Sequence, residues 1–161
     1  MIRQATADDL NDIYRVESEC FPQNEAATKK ELKERLTYYP NHFWLIFKDK
    51  KLIAFADGFT TDSEDLDDEM YKDASLHDEN GSWQMIFGLN TLPEYRNRGY
   101  ATMLIEHIIN TAEKEKRSGV VLTCKKDMIS YYSKFGFIDE GISKSKHGGE
   151  SWNQMRLRFH G

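Results

Sequence analysis

Residues 83–124 decide the fold: WQMIFGLNTLPEYRNRGYATMLIEHIINTAEKEKRSGVVLTC. The first part, residues 83–92, is rich in strand-forming side chains and ends at a proline. Apolar residues then recur at helical spacing over residues 99–117, and Gly119 is a residue type that suits the position after a helix. Residues 120–124, VVLTC, form an apolar run typical of a buried strand. The stretch therefore predicts a βαβ unit, in which two parallel strands are joined through a helix by a right-handed crossover.

The segments on either side of this unit predict a mixed sheet with helices packed on it. A helix capped by Thr6 or Asp8 is expected to run to Cys20, a second to cover residues 25–39, and a third to be capped by Asp127. We therefore expect an α/β (α+β) protein, with a central mixed sheet of about seven strands flanked by about four helices. The length fits one domain over residues 1–161. The five further strands are expected over residues 2–5, 43–47, 52–59, 137–143 and 151–159.

Composition excludes several classes of protein. Hydrophobic residues make up 39% and charged residues 30% of the chain, and no run of 18 apolar residues occurs, so we expect no membrane span. The N-terminal residues MIRQATADDL lack the apolar segment of a secretory signal. Cys20 and Cys124 are the only cysteines and form no CxxC pair, so we expect no zinc site, no other metal and no disulfide framework. A cytoplasmic location is the expectation that follows.

The formal net charge of −5 is distributed unevenly. Residues 62–79 contain nine acidic residues and one lysine, and the rest of the chain is slightly basic without a dense basic stripe. We therefore expect no nucleic-acid partner, and the basic remainder permits a small anionic ligand. The acidic segment could attract a cationic amine, could close over a cleft through Met70, Tyr71 and Leu76, or could be a solvated loop outside the core. The sequence leaves the oligomeric state open, including a homodimer.

The junction of the predicted strand and helix reads EYRNRGYA, residues 94–101. The first N–H groups of a helix have no partner inside it, and with the helix dipole they form an anion site. Gly99 lacks the Cβ that would hinder close approach of a phosphate to the backbone, and Arg96 and Arg98 add positive charge. The pattern alone fits a phosphate-binding turn or a solvated helix start equally well.

The stretch LNTLPEYRNRGYATMLIEHII, residues 89–109, resembles the acetyl-CoA-binding motif of the GNAT superfamily of N-acetyltransferases. The turn of that motif reads Arg/Gln-x-x-Gly-x-Gly/Ala, and Arg96, Gly99 and Ala101 occupy its three defined positions. The resemblance implies that backbone amides of the turn bind the pyrophosphate and that the preceding strand binds the pantetheine arm. The implied coenzyme-binding residues are Leu89, Asn90, Thr91, Arg96, Asn97, Arg98, Gly99, Tyr100, Ala101 and Thr102.

A second stretch, CKKDMISYYSKFGF at residues 124–137, is similar to the corresponding segment of arylalkylamine (serotonin-type) N-acetyltransferases. FPQNEAAT at residues 21–28 also resembles the acceptor-side helix start of that branch. The resemblance assigns Tyr132 as the catalytic residue that stabilises the departing thiolate. Spacing alone favours a place for Tyr132 in the core, because Met128, Tyr132 and Phe135 share a helix face, and Tyr131 is the alternative catalytic residue. Lys125 stands where many members of the superfamily have an asparagine.

The resemblance does not extend to the residues that accept a proton from the amine. The serotonin-type branch has two histidines on the strand before the turn, and those positions hold Met85 and Phe87 here. His77 is the first substitute, because it lies in a loop that could reach the acceptor. His147 is a second loop histidine of the same kind, and a surface position is the competing interpretation for both histidines. Glu25 is a further option, as a carboxylate near the acceptor or as a capping residue of its helix. Trp83, Phe43 and Trp44 are candidates for an aromatic acceptor pocket or for ordinary packing.

The function implied by the resemblance is transfer of an acetyl group from acetyl-CoA to a small primary amine. Direct attack in a ternary complex is expected, because the position of Cys124 at the end of a buried strand favours packing over an acetyl-enzyme. Two alternatives stay open. One is an enzyme that acetylates a protein N-terminus or lysine, which requires an open groove; the other is a non-catalytic acyl-CoA-binding module.

Overall fold

The structure, a computed structural model, describes residues 2–160, which form two sheets and five α-helices. One sheet has the strand order β1-β2-β3-β6 and the other has the order β4-β5-β7-β9-β8. The strands are β1 (Ile2–Gln4), β2 (Phe43–Lys48), β3 (Lys51–Asp57), β4 (Thr60–Thr61), β5 (Trp83–Ile86), β6 (Gly88–Thr91), β7 (Gly119–Cys124), β8 (Ile138–Ile142) and β9 (Asn153–Arg158). The helices are α1 (Leu10–Cys20), α2 (Lys29–Tyr38), α3 (Asp68–Lys72), α4 (Tyr100–Lys114) and α5 (Ile129–Ser133).

The predicted α/β architecture and the βαβ unit are confirmed, with one change. β5 pairs with β7 in parallel, from Trp83 opposite Gly119 to Ile86 opposite Leu122. The expected single strand over residues 83–92 breaks at Phe87, and its second half pairs with β3 in the other sheet instead. One continuous sheet of about seven strands therefore becomes two sheets that separate at this break.

Local sequence explains most helix boundaries. Thr28 accepts a hydrogen bond from the Glu31 N–H, and the Glu31 carboxylate accepts one from the Thr28 N–H, so a capping box starts α2. Three expected boundaries are wrong. The second helix begins at Lys29 and not at residue 25, because Thr28 caps it. Asp127 makes no capping bond, because a turn of 3-10 helix precedes α5. Helix α4 ends at Lys114, well before Gly119, whose missing Cβ instead admits the Leu157 carbonyl of β9.

The acidic segment, residues 62–79, contributes to the core, which differs from the expectation of a solvated loop. Met70 is 4% exposed and Tyr71 is 9% exposed, and Leu66 is also buried. Acidic side chains fix the segment to the second sheet, since Asp65 contacts Arg156 at 2.9 Å. A few apolar residues in α3 are enough to anchor the segment, although its average composition is polar.

None of the helices within residues 2–160 is both long and apolar enough to cross a bilayer.

Candidate active site

A cleft of about 380 Å³ opens between β6 and β7, just beyond the last paired residues of β5 and β7. Ile86, Phe87 and Leu89 line one wall, and Leu122 and Cys124 line the other. β5 and β7 are hydrogen-bonded up to Ile86 and Leu122, and beyond that point neither strand has the other as a partner. The break in the strand therefore creates a slot between two sheets that is open to an extended ligand.

The inner edge of β6 has main-chain groups that no strand uses. Asn90 lies opposite Phe55 of β3, and the Leu92 N–H donates to the Ile53 carbonyl. Since paired groups alternate along an antiparallel strand, the N–H groups of Leu89 and Thr91 are directed away from β3, towards the slot. Of the predicted pantetheine contacts, Leu89 and Thr91 thus present their backbone to the cleft.

The backbone of Asn90 pairs with Phe55 of β3, so its main-chain groups face β3 and not the slot. Its side chain is fully buried and donates to the Glu17 carboxylate of α1 at 2.9 Å. Asn90 therefore connects the sheet to α1, whose Glu17 lines the cleft.

The turn before α4 is shaped by two residues in the left-handed region of backbone space. Asn97 has φ +63° and Gly99, which caps α4, has φ +88°. No side chain caps the helix, so the N–H groups of Tyr100, Ala101 and Thr102 have no capping partner within residues 2–160. A Cβ placed on Gly99 would have no protein atom within 4 Å. The space in front of these amides is therefore open to an anion.

Positive side chains surround this turn. The Arg96 Nε–H donates to the Thr91 carbonyl at 2.9 Å, which ties the turn to β6. The guanidinium of Arg98 lies 5.5 Å from the centre of the Tyr95 ring, and the ammonium groups of two lysines, Lys48 and Lys51, each lie 5.9 Å from it. Charge and open amides therefore favour a phosphate ligand at the same place.

Tyr132 of α5 lines the cleft and is 8% exposed. Burial, with the neighbouring Cys124 and Tyr131, raises the pKa of Tyr132 above its usual range. The hydroxyl therefore stays protonated and can donate a hydrogen bond to a developing thiolate. Tyr131 bonds instead to Thr102 of α4 through an O–O distance of 3.1 Å, and it does not line the cleft.

The two cysteines both line the cleft as thiols. Burial, with Asp139 and Asp127 nearby, raises the pKa of Cys124 to about 11. Burial also raises the pKa of Cys20, whose Sγ–H donates to the Thr91 carbonyl at 3.3 Å. A thiol is a poor nucleophile compared with a thiolate, so the structure gives no support to an acetyl-cysteine step.

The predicted base His77 is not among the residues of the cleft. Its Nδ1 accepts from the Thr60 N–H at 3.2 Å, so its proton sits on Nε2 and is donated to Glu79 at 3.0 Å. Burial lowers the pKa of His77, and its side chain is 7% exposed. His77 therefore fastens the end of the acidic segment, and the expectation that it reaches the acceptor has no support in the geometry.

His42, His77 and Glu79 place their donor atoms within 4.8 Å of one another, a spacing that a metal ion could use. Hydrogen bonding accounts for this group of side chains without a metal ion. The Nε2 of His77 already carries a hydrogen, and Arg117 also contacts Glu79 at 3.4 Å. Burial opposes ionisation of Glu79, but hydrogen bonds from Asn41, His42 and His77 outweigh it and lower the pKa to about 2. The group is best described as a carboxylate held by several donors.

His147 lies in the wall of the cleft. Its ring stacks on Tyr71, with centroids 4.6 Å apart, and its Nε2 lies 2.7 Å from the main-chain carbonyl oxygen of Glu25. The Glu25 carboxylate is 3.0 Å from the ammonium of Lys125, which occupies the position of the expected asparagine. The structure thus brings three sequence candidates, Tyr132, His147 and Glu25, to the same cleft.

The far side of the cleft contains buried charge that the sequence reading did not identify. Arg35 contacts Asp57 at 3.1 Å, and the Nε of Arg35 has no hydrogen-bond partner within residues 2–160. Burial, only partly offset by Arg35, raises the pKa of Asp57 to about 6. Among the contacts of residues 2–160, the Glu17 carboxylate accepts from neutral donors, Ala27 N–H and Asn90, and has no ion pair. A buried carboxylate without a cationic partner favours a cationic ligand beside it.

Loops close over the acceptor side. Asn24 donates to the Gly148 carbonyl at 2.8 Å, and Gly148 approaches so closely that a Cβ there would lie 2.6 Å from Glu25 Cγ. The Lys146 N–H donates to Asp68 of α3 at 2.9 Å. We call residues 22–27 and 144–152 the roof. It covers the cleft with contacts between segments far apart in sequence.

The aromatic residues of the cleft are different from those expected. Phe43, Trp44 and Trp83 are each at most 4% exposed and do not line it. The aromatic residues that do are Phe21, Tyr71, Phe87, Tyr132 and Trp152. Tyr71 belongs to the acidic segment, so this segment borders the cleft, as the predicted closure over a cleft requires. Leu76, which is predicted to take part in that closure, is exposed.

Comparison with known proteins agrees with this geometry. A family model described as the Acetyltransferase (GNAT) family matches residues 10–137. A search of curated protein sequences found no match.

Solved structures share the fold at low sequence identity. The loading GNATL domain of CurA from Lyngbya majuscula has a TM-score of 0.84 and 15% identity, covering 98% of this chain and 96% of that one. A GphF GNAT-like decarboxylase in complex with isobutyryl-CoA has a TM-score of 0.83 and 18% identity, covering 98% of each. The ribosomal-protein-S18-alanine N-acetyltransferase from Escherichia coli has a TM-score of 0.69 and 20% identity, covering 100% of this chain and 96% of that one.

Proposed function

Because the chain belongs to the acetyltransferase (GNAT) family, we propose that it transfers an acetyl group from acetyl-CoA to a small primary amine. The observation that carries this proposal is the combination of three features on connected elements, since Arg96 joins the turn to β6 and Thr102 of α4 bonds to Tyr131 of α5. These are the open amides before α4, the unpaired edge of β6 and the hydroxyl of Tyr132.

The coenzyme fits the first two features. The amides of Tyr100, Ala101 and Thr102 would accept the pyrophosphate, while Leu89 and Thr91 would bond the pantetheine arm as an added strand does. Arg98 would supply further charge at the turn. This arrangement directs the thioester towards the wall of the cleft that contains Tyr132 and Cys124.

Direct attack is the reaction that these residues support. The amine nitrogen forms a bond to the carbonyl carbon, the C–S bond breaks, and its electron pair stays on sulfur. Tyr132 donates a hydrogen bond to that sulfur, and because its pKa is raised, complete transfer of its proton is still less favourable than for an ordinary tyrosine. Most of the acceleration would come from holding both substrates together, since well-oriented reactions gain about 7–11 kcal/mol.

The size and charge of the acceptor follow from the far side of the cleft. The roof joins two segments over the acceptor side of the cleft through the bonds of Asn24 to Gly148 and Lys146 to Asp68, which supports a small molecule as acceptor. The buried Glu17 carboxylate has no cationic partner among the described residues, so the ammonium of the acceptor would fill that role. Phe21, Phe87 and Trp152 provide apolar and aromatic surface, which suits an arylalkyl or aliphatic amine.

Release of free thiol from acetyl-CoA tests the proposal. The assay compares small primary amines, peptides with a free N-terminus, and no acceptor, with the acetylated product identified by mass. We expect thiol release only with small amines. Release with peptides alone would support a protein acceptor, and coenzyme binding without release on any acceptor would support a non-catalytic module.

A second candidate reaction is decarboxylation of an acyl-CoA that bears a carboxylate. The GphF protein is described as a GNAT-like decarboxylase, and the unpartnered Nε of Arg35 here could bind a carboxylate. In that reaction a C–C bond breaks, CO₂ leaves and the remaining carbon takes a proton, so the thioester survives. Incubation with malonyl-CoA distinguishes the two, because decarboxylation yields acetyl-CoA without free thiol.

A further inference from the structure

The proton on His147 is assigned by its main-chain partner. Its Nε2 lies 2.7 Å from the carbonyl oxygen of Glu25, and a carbonyl oxygen can only accept. The proton of the neutral ring must therefore be on Nε2, which leaves the lone pair on Nδ1. Within residues 2–160 that nitrogen has no hydrogen-bond partner, and it is not among the buried polar atoms that lack one, so it is open to the cleft or to water.

We propose that Nδ1 of His147 is the general base that removes a proton from the acceptor ammonium, directly or through one water. This inference rests on the proposed amine acetylation. The sequence signal for it was weak, because His147 lies in the Gly-rich stretch KHGGE and is far from the motif in the chain.

The ring is held in place by contacts from two other segments, and its backbone by a contact within its own loop. Tyr71 of α3 stacks on it with an angle of 18° between the rings, and Glu25 fixes Nε2. The indole N–H of Trp152 donates to the His147 carbonyl at 2.8 Å, which fixes the backbone. A base whose tautomer and orientation are both fixed needs no rearrangement before it accepts a proton.

Four carboxylates line the cleft, and three of them, Glu17, Glu25 and Glu31, already accept hydrogen bonds, while the fourth, Asp127, is exposed in the turn before α5. The Glu25 carboxylate is paired with Lys125, and the two oxygens of Glu17 accept from Ala27 and Asn90. His77 is outside the cleft. The charged and titratable groups facing His147 from neighbouring segments are Tyr71, Glu25 and Lys125, with Asp68 bound to the preceding residue, Lys146.

The proton balance of the reaction shows which proton this base would accept. An alkylammonium loses two protons when it becomes an amide. His147 accepts the first before attack and returns it to solvent; the second ends on the coenzyme sulfur, so that the products are amide, free thiol and one released proton. An amine that is already neutral near pH 7 does not need the first transfer.

His147→Gln is the main test, because the Gln amide can still donate to the Glu25 carbonyl but cannot act as a base. We expect kcat/KM for an alkylamine to fall by about 10²-fold or more, while the Kd of acetyl-CoA is unchanged. The rate of the variant should rise with pH up to the pKa of the amine, roughly 10.4 for an alkylammonium, because only the neutral amine then reacts. With an arylamine, which is neutral at the assay pH, the loss should be only a few-fold.

His147→Asn is the structural comparison, because its shorter side chain loses the bond to Glu25. If both variants lose activity equally towards alkylamine and arylamine, His147 only supports the roof and the proposal is wrong. Wild-type rates in His147→Gln would also overturn it. If instead the wild type releases no thiol with any amine, it is the proposed function that fails, so the two failures are distinguishable.

Discussion

The amide of Asn24 donates a hydrogen bond of 2.8 Å to the carbonyl oxygen of Gly148, joining residues 124 positions apart in the chain. The same contact region brings His147 against Glu25, so the loop that covers the acceptor also holds the proposed base. Closure of the roof and positioning of the base are therefore two consequences of one loop contact.

Asn24→Ala should loosen the roof and relax selection by size. A hydrogen bond of this kind contributes about 1 kcal/mol, which corresponds to about a 5-fold change in the opening equilibrium. We expect the ratio of kcat/KM for a bulky amine to that for a small amine to rise by a similar factor. Asn41→Ala is the control, because it also loses one exposed amide bond, to Glu79 at 3.1 Å, and neither residue belongs to the roof or lines the cleft. Equal ratios in both variants would mean that the roof does not select the acceptor.

Tyr132→Phe should reduce kcat by about 10²-fold and leave the Kd of acetyl-CoA unchanged, because only the hydrogen bond to the departing sulfur is lost. Tyr131→Phe is the matched control, since its ring contacts Tyr132 but its hydroxyl bonds to Thr102. Steady-state kinetics and coenzyme titration separate the two effects. Full turnover by Tyr132→Phe would remove this residue from the mechanism.

Three exposed carboxylates of the acidic segment, Glu64, Asp67 and Glu69, test steering of a cationic amine without disturbing the core. Their replacement by Gln, Asn and Gln should raise KM for a cationic amine about 3-fold at low salt, and the effect should vanish at high salt. A control triple variant with the same charge change elsewhere neutralises Asp8, Glu106 and Glu113. An equal rise in the control would assign the effect to net charge alone.

Glu79 should stabilise the fold in a pH-dependent way. Its pKa is lowered from 4.5 in the unfolded chain to about 2, so the stabilisation is present above pH 4.5 and is lost as the pH falls towards 2. Because half of the side chain is exposed, screening reduces the expected cost of Glu79→Gln to about 1 kcal/mol at pH 7. Urea unfolding at pH 7 and pH 3 measures it, with Glu115→Gln as the control at the same arginine. A cost that is equal at both pH values would contradict the assignment.

The sequence predicted the fold class and the turn because both depend on local signals. Helix α4 buries Leu104, Ile105 and Ile108, which follow the apolar spacing of the sequence. Gly99 adopts a positive φ, as a glycine before a helix permits.

The break at Phe87 and the composition of the cleft could not be predicted in the same way. Gly88 was the available signal for the break, since a glycine inside a strand pattern often marks a bulge. The pairing of β6 with β3 is a long-range choice that periodicity does not contain. Likewise, the contact between His147 and Glu25 depends on two loops meeting, and so the sequence could only name His147 as one of several histidines.

Coenzyme A titration of Gly99→Val by calorimetry tests the central claim most directly. The matched control is Gly141→Val, because Gly141 has φ +91° and equally open surroundings but lies in β8. A side chain at position 99 would cover the amides that face the pyrophosphate, so we predict at least about 10-fold weaker binding for Gly99→Val and wild-type binding for the control. Wild-type affinity in Gly99→Val, or no binding of coenzyme A by the wild type, would contradict the account.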